Sequence, residues 1–161
     1  MNNREKYQFD YFTLDNYRHL VALAIRSGFD FISFTDDFDP ERKDVLWRHD
    51  VEFEPDIALK MAQIELKEGA RATYFFQIHS PYYNLFDSHY TKVFNEIKEL
   101  GHFVGLHFDS HYYGIESEDQ LSGYISLDRA YFETVLKTKI DAYSFHNTTP
   151  FTQSCLDYKY G

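Results

Sequence analysis

Gly101-His102-Phe103-Val104-Gly105-Leu106-His107-Phe108-Asp109-Ser110-His111 is the stretch that decides the fold. A glycine ends a helical pattern, and an apolar run rich in β-formers follows it. The run then opens into polar residues that carry His107 and His111. It predicts a buried strand over 102–107 that delivers two imidazoles, with Asp109 between them, at its C-terminal end. Two histidines beside acidic groups suit a divalent metal. Zinc binds neutral nitrogens at about 2.0–2.1 Å, and a catalytic zinc takes three protein ligands and leaves a fourth position open. The rest of the chain is therefore expected to supply a third ligand and a base. Asp109 can ligate, orient a histidine or face solvent.

Working backward, residues 72–78 (Ala-Thr-Tyr-Phe-Phe-Gln-Ile) predict another strand, and 90–100 a helix with Val93, Phe94 and Ile97 on one face. Residues 45–49 predict a strand that delivers Asp50-Val51-Glu52. Pro55 sits at a favoured helix start, and the helix is expected to run to Gly69. Before that, 14–27 reads as a helix capped by Asp15 or Asn16, and 29–34 alternates like a strand. Residues 35–43 form an acidic loop in which Asp36, Asp37 and Asp39 are expected to be solvated. Working forward, Ser117 is expected to cap a helix over 118–139, and 141–146 predicts a strand ending at His146.

Strand–helix alternation of this kind predicts parallel βαβ units. In parallel α/β folds function gathers at the C-terminal ends of the strands. Those ends carry Asp50 and Glu52, then His107, Asp109 and His111, then His146. Asp50 and Glu52 are two apart, so an extended backbone puts both on one face. One carboxylate can then bind the metal while the other takes a proton from the attacking water. His146 reads as an acid–base residue or as the group that orients Asp50. His49 is expected on the opposite face, and His79 and His102 are expected to be structural.

The chain has 161 residues, enough for one domain with a substantial core. A net charge of −10 argues against nucleic acid as a partner and against an anionic membrane surface. The 16 Phe and 14 Tyr can pack a core and can also line a sugar-stacking groove. The single cysteine, Cys155, permits no internal disulfide and is expected to be a buried thiol. Met1-Asn2-Asn3-Arg4-Glu5-Lys6 lacks the apolar run of a leader, and no stretch has transmembrane length, so the cytoplasm is the expected compartment.

Three segments together, Asp50-Val51-Glu52, Gly69-Ala70-Arg71-Ala72-Thr73-Tyr74-Phe75-Phe76 and the stretch quoted above, resemble the polysaccharide deacetylase family, the NodB-homology carbohydrate esterases. The resemblance covers residues 45–151, with an N-terminal helix and strand at 11–34 before it, inside one domain over 1–161. It implies a deformed (β/α) barrel and a metal-dependent hydrolase that removes acetyl groups from an N- or O-acetylated sugar or polysaccharide. The implied metal is divalent, most often zinc. The resemblance makes His107 and His111 metal ligands, Glu52 the acidic ligand where the family has Asp, and Asp50 the base; the exchange of the two acids' roles stays open. His146 and Pro150-Phe151 match the family's third motif, with His in place of Arg, and the Phe151 N–H is expected to face the developing oxyanion. The family's last segment has no counterpart before Tyr158-Lys159-Tyr160-Gly161, so the barrel is expected to be incomplete at its C-terminus. An accessory glycan-binding domain of the same fold is the alternative.

Overall fold

The structure, a computed structural model, describes residues 12–155. The leader reading of Met1–Lys6 and the segment at Tyr158–Gly161 lie outside the described residues. The elements in order are α1 (Leu14–Arg26), β1 (Asp30–Phe31), β2 (Asp44–Val45), β3 (Arg48–Val51), α2 (Pro55–Glu68), β4 (Thr73–Phe76), α3 (Ser88–Glu99), β5 (Phe103–Asp109), α4 (Ser110–Tyr113), α5 (Glu118–Val135), β6 (Tyr143–His146) and α6 (Pro150–Ser154).

Strands β3, β4, β5 and β6 form one parallel sheet in that spatial order, and β1 pairs with β2 in a small parallel sheet. A sequential order without reversal differs from a doubly wound sheet, whose order turns back on itself. Right-handed crossovers then place successive helices on the same side. The result is mixed α/β with a curled parallel sheet, half of a barrel, compatible with the expected incomplete barrel.

The register sorts the strand side chains onto two faces. One face carries His49, Val51, Tyr74, Phe76, Leu106, Phe108 and Phe145, and most of these are fully buried under the helices. Ala58 and Ala62 of α2 let that helix approach closely, while Phe94 and Ile97 of α3 and Ile125 and Phe132 of α5 fill the remaining space. Phe94 meets Phe76 and Phe132 edge-on, at 5.1 and 5.9 Å between ring centroids. The other face carries Arg48 and Asp50, Thr73 and Phe75, Phe103, Gly105 and His107, then Ser144 and His146. Each strand therefore presents one layer after another along the concave side.

Local chemistry fixes the boundaries. Gly69 adopts φ +86° and ends α2 where the sequence places its stop. Ser117 caps α5 as expected, but that helix ends at Val135 because Lys137 turns into the left-handed region. The cap of α1 is Thr13, whose hydroxyl accepts the Asn16 N–H; Asp15 lies instead in the first turn. The strand expected at 29–34 is cut to Asp30–Phe31 because the Asp36 carboxylate captures the Ser33 N–H and turns the chain. Cys155 is buried, as expected.

Candidate metal centre

Two tyrosine and serine contacts fix the end of β3, where the first acidic pair sits. The Tyr83 hydroxyl donates to the Val51 carbonyl at 2.6 Å, and the Ser80 hydroxyl donates to the Glu52 carbonyl at 3.0 Å. Glu52 is thus held just beyond the sheet while its side chain turns inward. There Glu52 Oε1 lies 3.1 Å from His107 Nε2 and 3.1 Å from His146 Nδ1, and the two nitrogens are 3.2 Å apart.

Those three atoms form a nearly equilateral triangle. Bonds of about 2.0–2.1 Å in a tetrahedral site separate neighbouring ligands by about 3.3 Å, so the triangle is close to one face of such a site. Glu52, His107 and His146 form the group that can hold a metal ion among the described residues. The donor set fits zinc and related divalent ions, which take imidazole and carboxylate together.

The hydrogen bonds behind the triangle prepare it for this role. Ser144 Oγ donates to Asp50 Oδ1 at 3.2 Å, so its oxygen is left to accept from His107 Nδ1 at 2.8 Å. That bond puts the His107 proton on Nδ1 and leaves the Nε2 lone pair facing Glu52 and His146. Burial depresses the basicity of His107 against the opposing pull of Asp50 and Glu52, which favours the neutral ring a metal requires. His146 differs: Asn147 Nδ2 donates to His146 Nε2 at 2.8 Å, which keeps the proton of a neutral ring on Nδ1, 3.1 Å from Glu52 Oε1, so Nδ1 must give up that proton to ligate a metal.

Asp50 stands one layer below. Arg48 grips it with two bonds, Nε to Oδ1 at 3.0 Å and Nη2 to Oδ2 at 2.6 Å. Sequence reasoning passed over Arg48 and Ser144. The signal was present, because each lies two residues before a singled-out residue, on the same face of its strand.

The expected ligand set and the group that can hold an ion differ at one position. His111 lies outside the triangle and His146 lies in it. Asp109 explains the difference: its carboxylate accepts the His111 and Tyr112 N–H groups and starts α4 immediately after β5. The new helix turns His111 outward, where its Nε2 donates to the Asn147 carbonyl at 2.7 Å. Asn147 itself takes φ +48°, a conformation that asparagine tolerates better than most residues. His111 thus holds the loop that carries His146. Phe151 lies in the first turn of α6, where backbone N–H groups have no intrahelical acceptor, and its ring packs against the core.

His79 and His102 have structural partners, as expected, and His49 does too. His49 faces away from the triangle and bonds Glu65 at 2.6 Å, and His102 accepts the Ala72 N–H and reaches the Ala62 carbonyl. His79 bonds the Tyr113 hydroxyl and stacks on Tyr112.

The residue after Glu52 is an exposed aromatic with an exposed aromatic partner. Phe53, 59% exposed, and Tyr82, 62% exposed, lie with their ring centroids 4.6 Å apart next to Glu52. No described helix is long and apolar enough to cross a membrane. No family model, no curated protein and no solved structure matches the chain.

Proposed function

We propose that the chain is a metal-dependent hydrolase that removes acetyl groups from an N- or O-acetylated sugar or polysaccharide. The observation that carries this reading is the triangle of Glu52 Oε1, His107 Nε2 and His146 Nδ1, with sides of 3.1–3.2 Å. A bound zinc would polarise the acetyl carbonyl and bring the pKa of a neighbouring water toward about 7.

The chain's own residues divide the remaining work. Glu52, His107 and His146 hold the ion. Asp50 accepts the proton of the attacking water. Its carboxylate has four lone-pair positions, so the bonds from Arg48 and Ser144 leave capacity for that proton. The Phe151 N–H, in the first turn of α6 where it has no intrahelical acceptor, is the donor assigned to the developing oxyanion. Phe53 and Tyr82 offer flat apolar faces for a sugar ring beside the reacting group. The motifs that resemble polysaccharide deacetylases and the half-barrel both support this reading.

One observation favours a second reading, an accessory glycan-binding domain. The two-pronged Arg48 grip engages both oxygens of Asp50 and turns them toward the guanidinium, not toward the triangle. Zinc-reconstituted protein incubated with acetylated oligosaccharides decides between them. Acetate release that disappears in Asp50→Asn supports the hydrolase. Binding of the oligosaccharides without any acetate release supports the accessory domain.

A further inference from the structure

The concave face carries a second feature, at the opposite end of the strands from the triangle. Its middle layer is plugged. The Phe75 ring lies over Gly105, where an added Cβ would stand 2.5 Å from the ring and 2.9 Å from the Ala142 carbonyl. Phe34 closes on Phe75 edge-on at 5.4 Å. Beyond this plug, at the N-terminal ends of β4 and β5, lies a cavity of about 220 Å³. One water needs only about 10–15 Å³ by the same kind of measure, so the space takes a ligand of several atoms.

The lining is polar and carries a positive charge. Ser33, Thr73 and Thr138 contribute hydroxyls, and Lys98 contributes an ammonium. Lys98 Nζ donates to Thr138 Oγ1 at 2.6 Å, and that hydroxyl passes its own proton to the Leu136 carbonyl at 3.0 Å. The Ser33 hydroxyl is engaged with Thr35. Thr73 differs. It is 2% exposed, and its Oγ1 has no hydrogen-bond partner among the described residues. Lys98 forms no carboxylate ion pair among the described residues, whereas the second lysine of the lining, Lys139, is matched by Asp141 at 2.5 Å. A buried hydroxyl without a partner costs stability, and a ligand that accepts its hydrogen bond would remove that cost.

We propose that this cavity binds a compact oxyanion, a carboxylate or a phosphate, with Lys98 supplying the charge and Thr73 Oγ1 donating a hydrogen bond. The site is independent of the metal centre, since the Phe75 plug lies between them.

The test is the melting temperature of the full chain in rising concentrations of sodium phosphate or of sodium acetate, each at ionic strength held constant with sodium chloride. A ligand of the folded state raises it along a saturating curve. Thr73→Val keeps the shape and removes the orphan hydroxyl. It is expected to leave the unliganded protein at least as stable as the parent and to weaken oxyanion affinity about tenfold or more, the loss expected for a hydrogen bond to a charged group. Thr73→Ser is expected to retain binding. Lys98→Met is expected to lose it without altering zinc affinity. Saturation by only one of the two anions assigns the class. Two results overturn the proposal: no saturable rise with either anion, or a rise of the same size in Thr73→Val, which marks the general stabilisation that excluded salts give any fold.

Discussion

Ser144 Oγ lies 2.8 Å from His107 Nδ1, and that single bond decides which nitrogen of His107 faces Glu52. Asp50 accepts the Ser144 proton at 3.2 Å, so the hydroxyl can only accept from the imidazole. The lone pair that a buried histidine turns toward Glu52 is thus set by a residue from the adjacent strand β6, held in turn by a carboxylate from β3 at the other edge of the sheet.

Ser144→Ala is therefore expected to weaken zinc binding about 10–100-fold, the cost of losing an outer partner of a ligating histidine. Isothermal titration with zinc reads it directly. Unchanged affinity would show that His107 does not depend on this bond.

Gly105 and Phe75 test the packing of the concave face. Gly105→Ala puts a methyl 2.5 Å from the Phe75 ring. Urea unfolding is expected to show a loss of about 1–3 kcal/mol, the usual cost of overpacking. Pairing it with Phe75→Leu is expected to recover part of that loss, since the two residues face each other in register.

Glu65 anchors the helical side. It is 0% exposed and accepts hydrogen bonds from Tyr17, from His49 at 2.6 Å and from Tyr74 at 2.6 Å. Burial alone would raise its pKa, but the bond and charge of His49 and the two tyrosine hydroxyls overturn that and leave it below the ordinary carboxylate value. Glu65→Gln leaves several donors poorly matched and is expected to cost about 1–3 kcal/mol, read from the shift of the urea midpoint.

The same cluster gives a pH dependence with a definite sign. Burial holds the pKa of His102 below its ordinary value of 6.5, against the pull of Glu65. When the pH falls through that value, the unfolded chain takes up a proton that the buried ring refuses, and stability drops. Glu65, with its pKa lowered below 4.5, adds a further loss as the pH falls through the carboxylate range. Urea midpoints measured between pH 8 and pH 5, roughly the range around the histidine value, are expected to decline on acidification. His102→Gln is expected to flatten the upper part of that decline.

Much of this was legible in the order of residues. The parallel sheet follows from strand–helix alternation, and Gly69, Pro55 and Ser117 mark helix ends where the structure has them. Asp50, Glu52, His107 and His146 could be gathered at one end of the sheet because each closes a predicted strand. The choice between His111 and His146 could not be made that way. It depends on whether the chain stays extended past Asp109 or starts a helix there, and the Asp109 carboxylate decides for the helix by capping it. The Glu65 cluster was also hidden, because its partners come from Tyr17, His49 and Tyr74, distant in sequence. A trace remained in the sequence: Ala58, Ala62 and Glu65 share one helix face, and a carboxylate on a buried face needs partners.

The most direct test of the central claim is zinc titration of the purified chain and four variants. One zinc per chain is expected, with binding lost in Glu52→Gln, His107→Ala and His146→Ala and retained in His111→Ala. Binding that survives His146→Ala and disappears in His111→Ala would contradict the account, because it would put the metal between residues that the fold holds apart.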